Sequence, residues 1–362
     1  MNVQVTQENL SRALNNVAKV ASSRNTLPIL ANVLIKTVGK RVCVSATNLN
    51  IAITCYVGSK VNKEGAITVP ARLMQDFVQN LPGGVINLEL EDTKLHISTD
   101  KHNSTINGIP ADEYPVMPHI KSGTNWSINP KQLKSALNQV VAAASNDDAR
   151  PILTGVNFHT SNGRLVIVAT DGYRLAETKT INMKNDINLT VPATAIQDLL
   201  RVINDEDEVV VTNNDQQLIF KAGDIELTTR LIEGSYPDYK KLIPKTLATT
   251  AQIDRSEFAS ITKISSLFAR ESAGSVVLGV DDKKNQVVIS SIASQFGENT
   301  ATADAKVKGI GNITLNSRYI NDALSSIDAT EVFIGFNGKL DPVILKNSEN
   351  EDYTHVIMPL KS

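Results

Sequence analysis

The chain has little of what enzymatic and metal sites are usually built from. It has two cysteines, one tryptophan (Trp126) and five histidines among 362 residues, and these residues lack the spacing of metal ligands. Aromatic residues make up 4% of the chain, which argues against base-stacking platforms. No Gly-rich phosphate loop and no nucleophile–base motif is visible. We therefore expect no metal, no cofactor and no catalytic residues.

An excess of positive charge and long apolar runs are lacking as well. The net charge is −2 at pH 7, so any basic surface for nucleic acid must be local. No apolar run approaches the roughly 20 residues of a membrane span, and no signal peptide is read at the N-terminus. These features predict a soluble, cytoplasmic protein without membrane contact. In that compartment Cys43 and Cys55 are expected to be reduced and buried on adjacent strands, with a disulfide between them as the open alternative.

What the chain does have is an internal repeat. Four short segments recur in the same order at offsets of 122 or 123 residues, and a fainter third copy begins at Asp254. The matched segments are 9–17 with 132–140, 27–33 with 150–156, 68–71 with 190–193, and 113–115 with 235–237. A repeat of this length predicts three domains. We place them at residues 1–121, 122–247 and 248–362.

Each copy reads as a helix followed by strands, twice over. Leu10, Leu14, Val17 and Val20 share one helical face in the first copy, and Asn129 is the expected N-cap in the second. The predicted helices are 9–21, 71–81, 131–145, 193–203, 255–270 and 316–327. The fold class is therefore α+β, with two helices on antiparallel sheet in each domain.

The predicted helices carry more positive than negative charge. They hold ten Lys and Arg against four carboxylates, a net of +6 in a chain whose total is −2. Helices of this kind suit a phosphate backbone and do not read bases. For any single helix, a solvated charged face is the alternative interpretation.

Residues 169–176, Ala-Thr-Asp-Gly-Tyr-Arg-Leu-Ala, are the most informative stretch. They follow an apolar run typical of a buried strand, and Asp171-Gly172 is a turn signal, because Asp bonds its own backbone and Gly accepts positive φ. The pattern predicts a hairpin tip that presents Tyr173, Arg174 and Leu175. An ordinary hairpin is the alternative, although an imperfect copy occurs at residues 46–52.

This hairpin, with residues 26–30, 234–239 and 358–360, resembles the bacterial sliding clamps, the β subunits of DNA polymerase III. The similarity runs from end to end. It implies three tandem domains of the DNA clamp fold and a head-to-tail homodimer that closes a six-domain ring, with helices inside and sheet outside. It further implies a non-catalytic processivity factor that encircles duplex DNA, slides along it and tethers polymerase.

The resemblance also implies partners. They are double-stranded DNA bound without sequence preference, the DNA polymerase III core, the clamp-loader complex and other clamp-binding replication and repair proteins. The holoenzyme would carry an associated 3′–5′ exonuclease activity. Two alternatives stay open: a clamp-fold scaffold that does not encircle DNA, and an enzyme that uses Asp171, Arg174 and a nearby histidine.

Helix size supports a dimer. Six helices spaced about 10 Å apart would leave a hole of roughly 9 Å, too narrow for a duplex whose major groove alone is about 12 Å wide. Twelve helices would leave about 28 Å. Two chains are thus the smaller closed solution.

The resemblance assigns residues to three sites. A pocket for partner peptides would use Arg150, Leu153, Thr170, Gly172, Tyr173, Arg174, Leu175, Pro237, Lys241, Leu242, Tyr319, Pro342, Val343, Val356, Met358, Pro359 and Leu360. DNA would contact Arg12, Arg24, Arg72, Lys134 and Arg201. The dimer interface would include Ser104, Ile106, Leu267 and Phe268. For Leu153, Val343 and Val356, a plain core role is an open alternative.

Overall fold

A computed structural model describes residues 1–21, 27–116, 120, 122–205, 208–293 and 297–361. The chain forms two compact units. One unit contains Met1–Lys131 and Gln197–Leu231, and the other contains Gln132–Ile196 and Ile232–Ser362. Arg24, one of the predicted DNA contacts, lies outside the described residues.

The repeat is visible as one order of elements written three times. The first copy has β1 (Asn2–Thr6), α1 (Gln7–Val17), β2 (Asn32–Val38), β3 (Arg41–Thr47), β4 (Ile51–Lys63), β5 (Ala66–Pro70), α2 (Ala71–Asn80), β6 (Val85–Glu91), β7 (Lys94–Ser98), β8 (Asn103–Asn107) and the two-residue β9 (Ile109–Pro110). The second has β10 (Thr124–Ile128), α3 (Pro130–Val140), β11 (Gly155–Ser161), β12 (Arg164–Thr170), β13 (Arg174–Asn182), β14 (Asn188–Pro192), α4 (Ala193–Val202), β15 (Val209–Asn213), β16 (Gln217–Ala222) and β17 (Ile225–Arg230).

The third copy follows the same order and, like the second, has no counterpart of β9 among the described residues. It has β18 (Thr249–Asp254), α5 (Arg255–Phe268), β19 (Ser275–Asp281), β20 (Gln286–Ala293), β21 (Gly297–Lys308), β22 (Gly311–Asn316), α6 (Ser317–Ser326), β23 (Glu331–Phe336), β24 (Val343–Asn347) and β25 (Tyr353–Ile357). Every strand pairing among the described residues is antiparallel, as predicted.

The helices form where apolar spacing and caps direct them. Leu10, Leu14 and Val17 are fully buried on one face of α1, as the spacing predicts. Asp254 caps α5, since its Oδ1 accepts the Glu257 backbone N–H at 2.8 Å. Asn129 does the same near the start of α3, accepting from the Lys131 N–H at 3.0 Å. The predicted cap at Asn129 is thus confirmed.

Several predicted helix bounds are wrong at the C-terminal end. The first helix ends at Val17, where the chain enters a turn, so Lys19 is not helical and Val20 is buried beyond the helix. It also begins two residues earlier than predicted and includes Glu8. Likewise Arg270 lies in a short 3₁₀ turn after α5.

These bounds lower the helical charge excess. Within the observed helices there are eight Lys and Arg against five carboxylates, so the net is +3 and not +6. The general electrostatic argument for DNA from helix composition is therefore weaker than the sequence suggested. What still supports DNA binding is the presence of individual exposed cations on the helices.

The two units each hold a continuous sheet that joins different copies. In the first unit the strand order is β10-β15-β16-β17-β4-β1-β6-β7-β8, with β2, β3, β5 and β9 branching beside β4. In the second the order is β14-β11-β12-β13-β25-β24-β23-β18-β21-β20-β19-β22. The central copy is therefore shared, because β15–β17 complete the first sheet and β11–β14 complete the second.

The two junctions between copies have the same construction. At each one, the last strand of one copy pairs with the fourth strand of the preceding copy: β17 with β4, and β25 with β13. An arginine–aspartate ion pair flanks each junction. Arg41 Nη2 lies 2.7 Å from Asp224 Oδ1, and Arg164 Nη1 lies 2.6 Å from Asp352 Oδ1. The pairs occupy equivalent places in the repeat and stabilise the turns beside each junction.

Cys43 and Cys55 lie on the paired strands β3 and β4, and both are buried free thiols, as predicted. Burial raises the pKa of the Cys55 thiol to about 12. Among the described residues, none of the helices is long and apolar enough to cross a membrane.

Candidate functional site

The predicted hairpin tip is a tightly bonded turn between β12 and β13. Asp171 Oδ1 accepts the backbone N–H groups of Tyr173 at 2.8 Å and Arg174 at 2.9 Å. Thr170 Oγ1 donates to the Arg174 carbonyl at 2.6 Å. Gly172 has a φ of 89°, a conformation that favours glycine. The prediction that Asp171 bonds its own backbone while Gly172 takes positive φ is confirmed.

The prediction of what the tip presents is largely wrong. Tyr173 is 59% exposed, but Arg174 and Leu175 are buried. Arg174 Nε lies 3.1 Å from Asp171 Oδ2, and its Nη atoms donate to Asp322 Oδ2 and to the Ala142 carbonyl. Its guanidinium lies 4.5 Å from the centre of the Tyr319 ring. A buried guanidinium needs such partners, and two of them, Ala142 and Asp322, are far from Arg174 in the sequence.

The C-terminal residues lie against the hairpin. The Met358 N–H donates to the Tyr173 carbonyl at 2.8 Å, directly after the β13–β25 ladder in which Arg174 faces Ile357. The Leu360 N–H donates to the Thr314 carbonyl of β22, also at 2.8 Å. Met358, Pro359 and Leu360 are half-buried, so each has surface left for a ligand. The terminal residues thus form a wall beside Tyr173.

A second wall comes from the segment before β18. Tyr239 is buried in an apolar cluster with Val168, Leu175 and Val356. A 3₁₀ turn follows, in which the Leu242 N–H donates to the Tyr239 carbonyl at 2.9 Å. Leu242 is 43% exposed. Lys241 pairs with Asp238 at 2.8 Å, and this contact raises the pKa of the lysine and lowers that of the aspartate.

The seventeen predicted pocket residues all lie in the second unit and divide by exposure. Those exposed are Arg150, Gly172, Tyr173, Pro237, Lys241 and Leu242. Those half-buried are Tyr319, Pro342, Met358, Pro359 and Leu360. Those buried are Leu153, Thr170, Arg174, Leu175, Val343 and Val356. The core alternative therefore holds for Leu153, Val343 and Val356 in this structure.

The accessible pocket residues include apolar groups, with Arg150 and Lys241 adding charge. Tyr173, Leu242 and Met358 offer aromatic, aliphatic and thioether surface, a mixture that adapts to short peptides. Arg150 lies at the hairpin: a Cβ on Gly172 would stand 3.3 Å from its Nη1. Glycine at that position therefore also leaves room for the arginine.

The predicted DNA contacts lie on four helices. Arg12 on α1 and Arg72 on α2 are exposed, and Lys134 on α3 is half-buried. Arg201 on α4 is exposed but forms an ion pair with Asp198 one helical turn earlier. Arg12 donates to Asn9 Oδ1 at 2.6 Å. These cations can meet phosphates, although Arg201 must share its charge with a carboxylate.

The predicted dimer residues lie at two places. Ser104 and Ile106 lie on β8, which is the last strand of the first sheet. Leu267, 54% exposed, and the half-buried Phe268 lie at the end of α5, which packs on β21. Ile264, 46% exposed and one turn before Leu267, extends that apolar surface and was missed from sequence.

Sequence reasoning missed two other residues at the hairpin. Asp322 was counted only as a helix charge, yet it pairs with Arg174 across 148 residues. Glu177 on β13 is buried and accepts the Tyr239 hydroxyl at 2.5 Å. A carboxylate within the predicted second strand of the hairpin was the available signal. Among the described residues, no group of three or more His, Cys, Asp and Glu is arranged to hold a metal ion.

Comparison with known proteins gives one consistent result. Family models for the DNA polymerase III beta subunit match its N-terminal domain to residues 1–118, its central domain to 127–238 and its C-terminal domain to 240–361. The beta sliding clamp of Synechococcus elongatus is 30% identical over 366 residues, which cover 98% of each chain. That of Staphylococcus aureus is 30% identical over 363 residues, 96% of each chain.

Solved structures agree in fold. The DNA polymerase sliding clamp of Bacillus subtilis superposes with a TM-score of 0.95 at 28% identity, covering 100% of this chain and 99% of that one. The Pseudomonas aeruginosa sliding clamp bound to griselimycin gives a TM-score of 0.95 at 25% identity over 100% of both chains. The three copies are thus three clamp domains, and the chain belongs to the DNA polymerase III beta subunit family, the bacterial sliding clamps.

Proposed function

We propose that two copies of this chain close head to tail into a ring that encircles duplex DNA, slides along it and tethers the replicative polymerase. Family membership supports the processivity-factor role, which is non-catalytic in this family. The same membership favours a place in the bacterial cytoplasm, where chromosomal DNA is copied. The clamp loader and other clamp-binding replication and repair proteins are the further partners we expect.

The observation that carries the dimer is a pair of unmatched strand edges. In the described residues β8 pairs with β7 alone. On β21, residues 297–304 pair with β20 on one side, and only residues 305–308 pair with β18 on the other. The equivalent first residues of β4 pair with β17. A third junction, β8 with the β21 of a second copy, would complete the pattern.

Side chains around these edges fit that junction. Ile264, Leu267 and Phe268 on α5, which packs on β21, provide apolar area beside one edge, whereas Ile106 on β8 is only 6% exposed and contributes little. Unpaired edges next to apolar surface favour association with another chain. Since each copy offers one β8 edge and one β21 edge, two copies satisfy each other twice.

The proposed DNA contacts act through charge alone. Arg12, Arg72, Lys134 and Arg201, with Arg24, would face phosphates and leave the bases unread. Contacts of this kind make binding strongly salt-dependent. The partner pocket would be the surface between Tyr173, Leu242 and Met358, and the griselimycin-bound relative supports ligand binding by a clamp of this fold.

The ring is tested by mass and topology together. Light scattering should give twice the 39.2 kDa of the chain. Protein loaded on a nicked circular DNA should stay bound in high salt and leave when the circle is cut, because a ring slides off an end. Equal retention on circular and linear DNA would contradict encirclement.

A matched pair of variants tests the edge. Leu267→Glu should give a monomer that is not retained on circles, because a carboxylate would be buried at the junction. Val210→Glu is the control, since Val210 is 39% exposed on β15, a strand already paired on both sides.

If Arg72→Glu leaves loading unchanged at all salt concentrations, the scaffold alternative gains support.

A further inference from the structure

Near the pocket residues lies a chain of polar side chains that is buried at Glu177, Tyr239 and Asn157 and reaches the surface at Asn188. Glu177 Oε2 accepts the Tyr239 hydroxyl at 2.5 Å. The same hydroxyl lies 3.4 Å from His159 Nε2, and His159 Nδ1 lies 2.9 Å from Asn157 Oδ1. Asn157 in turn donates to Asn188 Oδ1 at 2.9 Å. The chain thus crosses β13, β11 and the start of β14.

Burial makes the first link of this chain strong. Glu177 is 7% exposed and Tyr239 is 5% exposed. A hydrogen bond to a buried carboxylate is shorter and stronger than one between neutral groups, and loss of either partner leaves a buried polar group unsatisfied. Burial, followed by the contact with Glu177, raises the pKa of Tyr239 well above its usual range, so the phenol stays a donor.

Tyr239 is placed to connect both walls of the pocket. Its ring packs against Leu175 of the hairpin strand and Val356 of the terminal strand. Pro237 lies two residues before Tyr239 in the chain, and the turn with Lys241 and Leu242 directly follows it. Two further side-chain contacts of this short segment, Lys241 Nζ to Asp238 Oδ2 at 2.8 Å and Lys240 Nζ to Ser161 Oγ at 3.0 Å, lie on the surface.

We propose that Glu177 and Tyr239 are positioning residues for partner binding. Their hydrogen bond holds the segment 237–242 at a fixed distance from Tyr173 and Met358, so that a peptide meets a preformed surface. Pre-organised sites lose less entropy when they bind. The proposal rests on the partner pocket proposed above. It states that Glu177 and Tyr239 increase the affinity for a ligand without contacting it.

Binding of griselimycin to the full-length protein tests this proposal, with titration calorimetry as the measurement. Tyr239→Phe keeps the packed ring and removes the hydroxyl, and we expect roughly ten-fold weaker binding, as for loss of one hydrogen bond to a charged group. Glu177→Gln keeps an acceptor and should weaken binding by less. Backbone amide exchange of residues 238–243 should speed up in unliganded Tyr239→Phe and slow again when ligand is bound.

The control is Tyr114→Phe in the other unit. Tyr114 is 6% exposed, and its hydroxyl accepts the Thr47 N–H at 3.1 Å, so the substitution also removes a buried phenol hydrogen bond. It should leave griselimycin affinity unchanged. A purely structural role for Tyr239 would lower stability without changing affinity or amide exchange in folded protein.

Two outcomes separate this inference from the pocket itself. If Leu242→Ala weakens binding while Tyr239→Phe and Glu177→Gln bind like the parent protein, the positioning role is wrong and the pocket stands. If the parent protein does not bind griselimycin, or Leu242→Ala and Tyr173→Ala bind unchanged, the pocket is misplaced and the positioning role is overturned with it. Should Tyr239→Phe fail to fold, the Glu177→Gln affinity decides alone.

Discussion

The turns at Asn48 and at Asp171 occupy equivalent places in the first and second copies. Asn48 Oδ1 accepts the Asn50 and Ile51 N–H groups at 3.1 and 2.9 Å, as Asp171 Oδ1 accepts those of Tyr173 and Arg174. Thr47 Oγ1 donates to the Ile51 carbonyl at 2.9 Å, as Thr170 Oγ1 does to that of Arg174. The two turns therefore have the same pattern of side-chain to backbone hydrogen bonds.

The following residues of the sheet keep the likeness. The Asn50 carbonyl accepts the Arg230 N–H at 3.0 Å, and the Tyr173 carbonyl accepts the Met358 N–H at 2.8 Å. The copies differ in what is mounted on the turn. Ile51 stands where Arg174 forms its buried ion pairs, and Leu49 stands where Gly172 makes room for Arg150. The difference teaches that the repeat supplies geometry, while substitutions at a few positions supply a binding site.

Removing the C-terminal wall beside the second turn should have the largest effect. Deletion of residues 358–362 removes the Met358 bond to Tyr173 and the Leu360 bond to Thr314. We expect polymerase stimulation to be abolished in a primer-extension assay while light scattering still reports the dimer, since β8 and β21 are untouched. Loss of the dimer as well would mean that these residues are needed for the fold.

Giving the second turn the residue of the first should cost stability. Arg174→Ile leaves Asp171 and Asp322 without their shared cation, and we expect a loss of about 3 kcal/mol in the free energy of unfolding, measured in urea. Arg318→Ile is the matched control. Arg318 is 77% exposed, and its Nε lies as far as 4.0 Å from Asp322 Oδ2, so this ion pair is weak. The control should cost less than about 1 kcal/mol. Equal losses would show that Arg174 is not the central contact.

At one of the buried positions where the strands beside the two turns differ, β25 has His355 and β17 has Leu227. Burial, aided by the charge of Arg174, lowers the pKa of His355 from 6.5 to about 3. The unfolded chain binds this proton near pH 6.5 and the folded chain does not, so stability falls as pH falls from about 6.5 toward 3. At pH 5 the penalty is about 2 kcal/mol.

His355→Leu should remove that penalty. The difference in unfolding free energy between pH 7.5 and pH 5 should shrink by about 2 kcal/mol relative to the parent protein, as measured by urea titration at both values. Parallel pH curves for the two proteins would mean that His355 is protonated in the folded state.

Exchange of the glycine should have the smallest effect. Leu49 has a φ of 74° and Gly172 a φ of 89°, and only glycine adopts this region without cost. Gly172→Leu should lower stability by about 1–2 kcal/mol. Leu49→Gly should be neutral or slightly stabilising in thermal melts, and a large loss there would show that the exposed Leu49 side chain packs against something.

The sequence predicted the features that are local. The repeat, the Asp171-Gly172 turn, the helix face of Leu10, Leu14 and Val17, and the adjacent cysteines are all observed. Exposure at the hairpin could not be predicted, because the partner that draws Arg174 inward is Asp322, 148 residues away. Predicted helices extended too far where the apolar spacing continues past the real helix end, as at Val20.

The sharing of the central copy between two sheets also lay beyond the sequence. Antiparallel strands were predicted, but nothing in the alternation of residues shows that β17 continues into β4 while β25 continues into β13. Ladder partners of this kind are set by backbone hydrogen bonds, which any side chains of suitable shape permit. The family match to three consecutive domains does not reveal it either.

That shared arrangement limits how the protein can be taken apart. Expression of residues 127–238 alone would leave β13 and β17 each with a bare edge, and bare edges recruit foreign strands and precipitate. Cutting the gene at its apparent domain boundaries should therefore yield insoluble pieces. The chain is three modules in ancestry but inseparable in folding, since each sheet needs strands from both sides of a boundary.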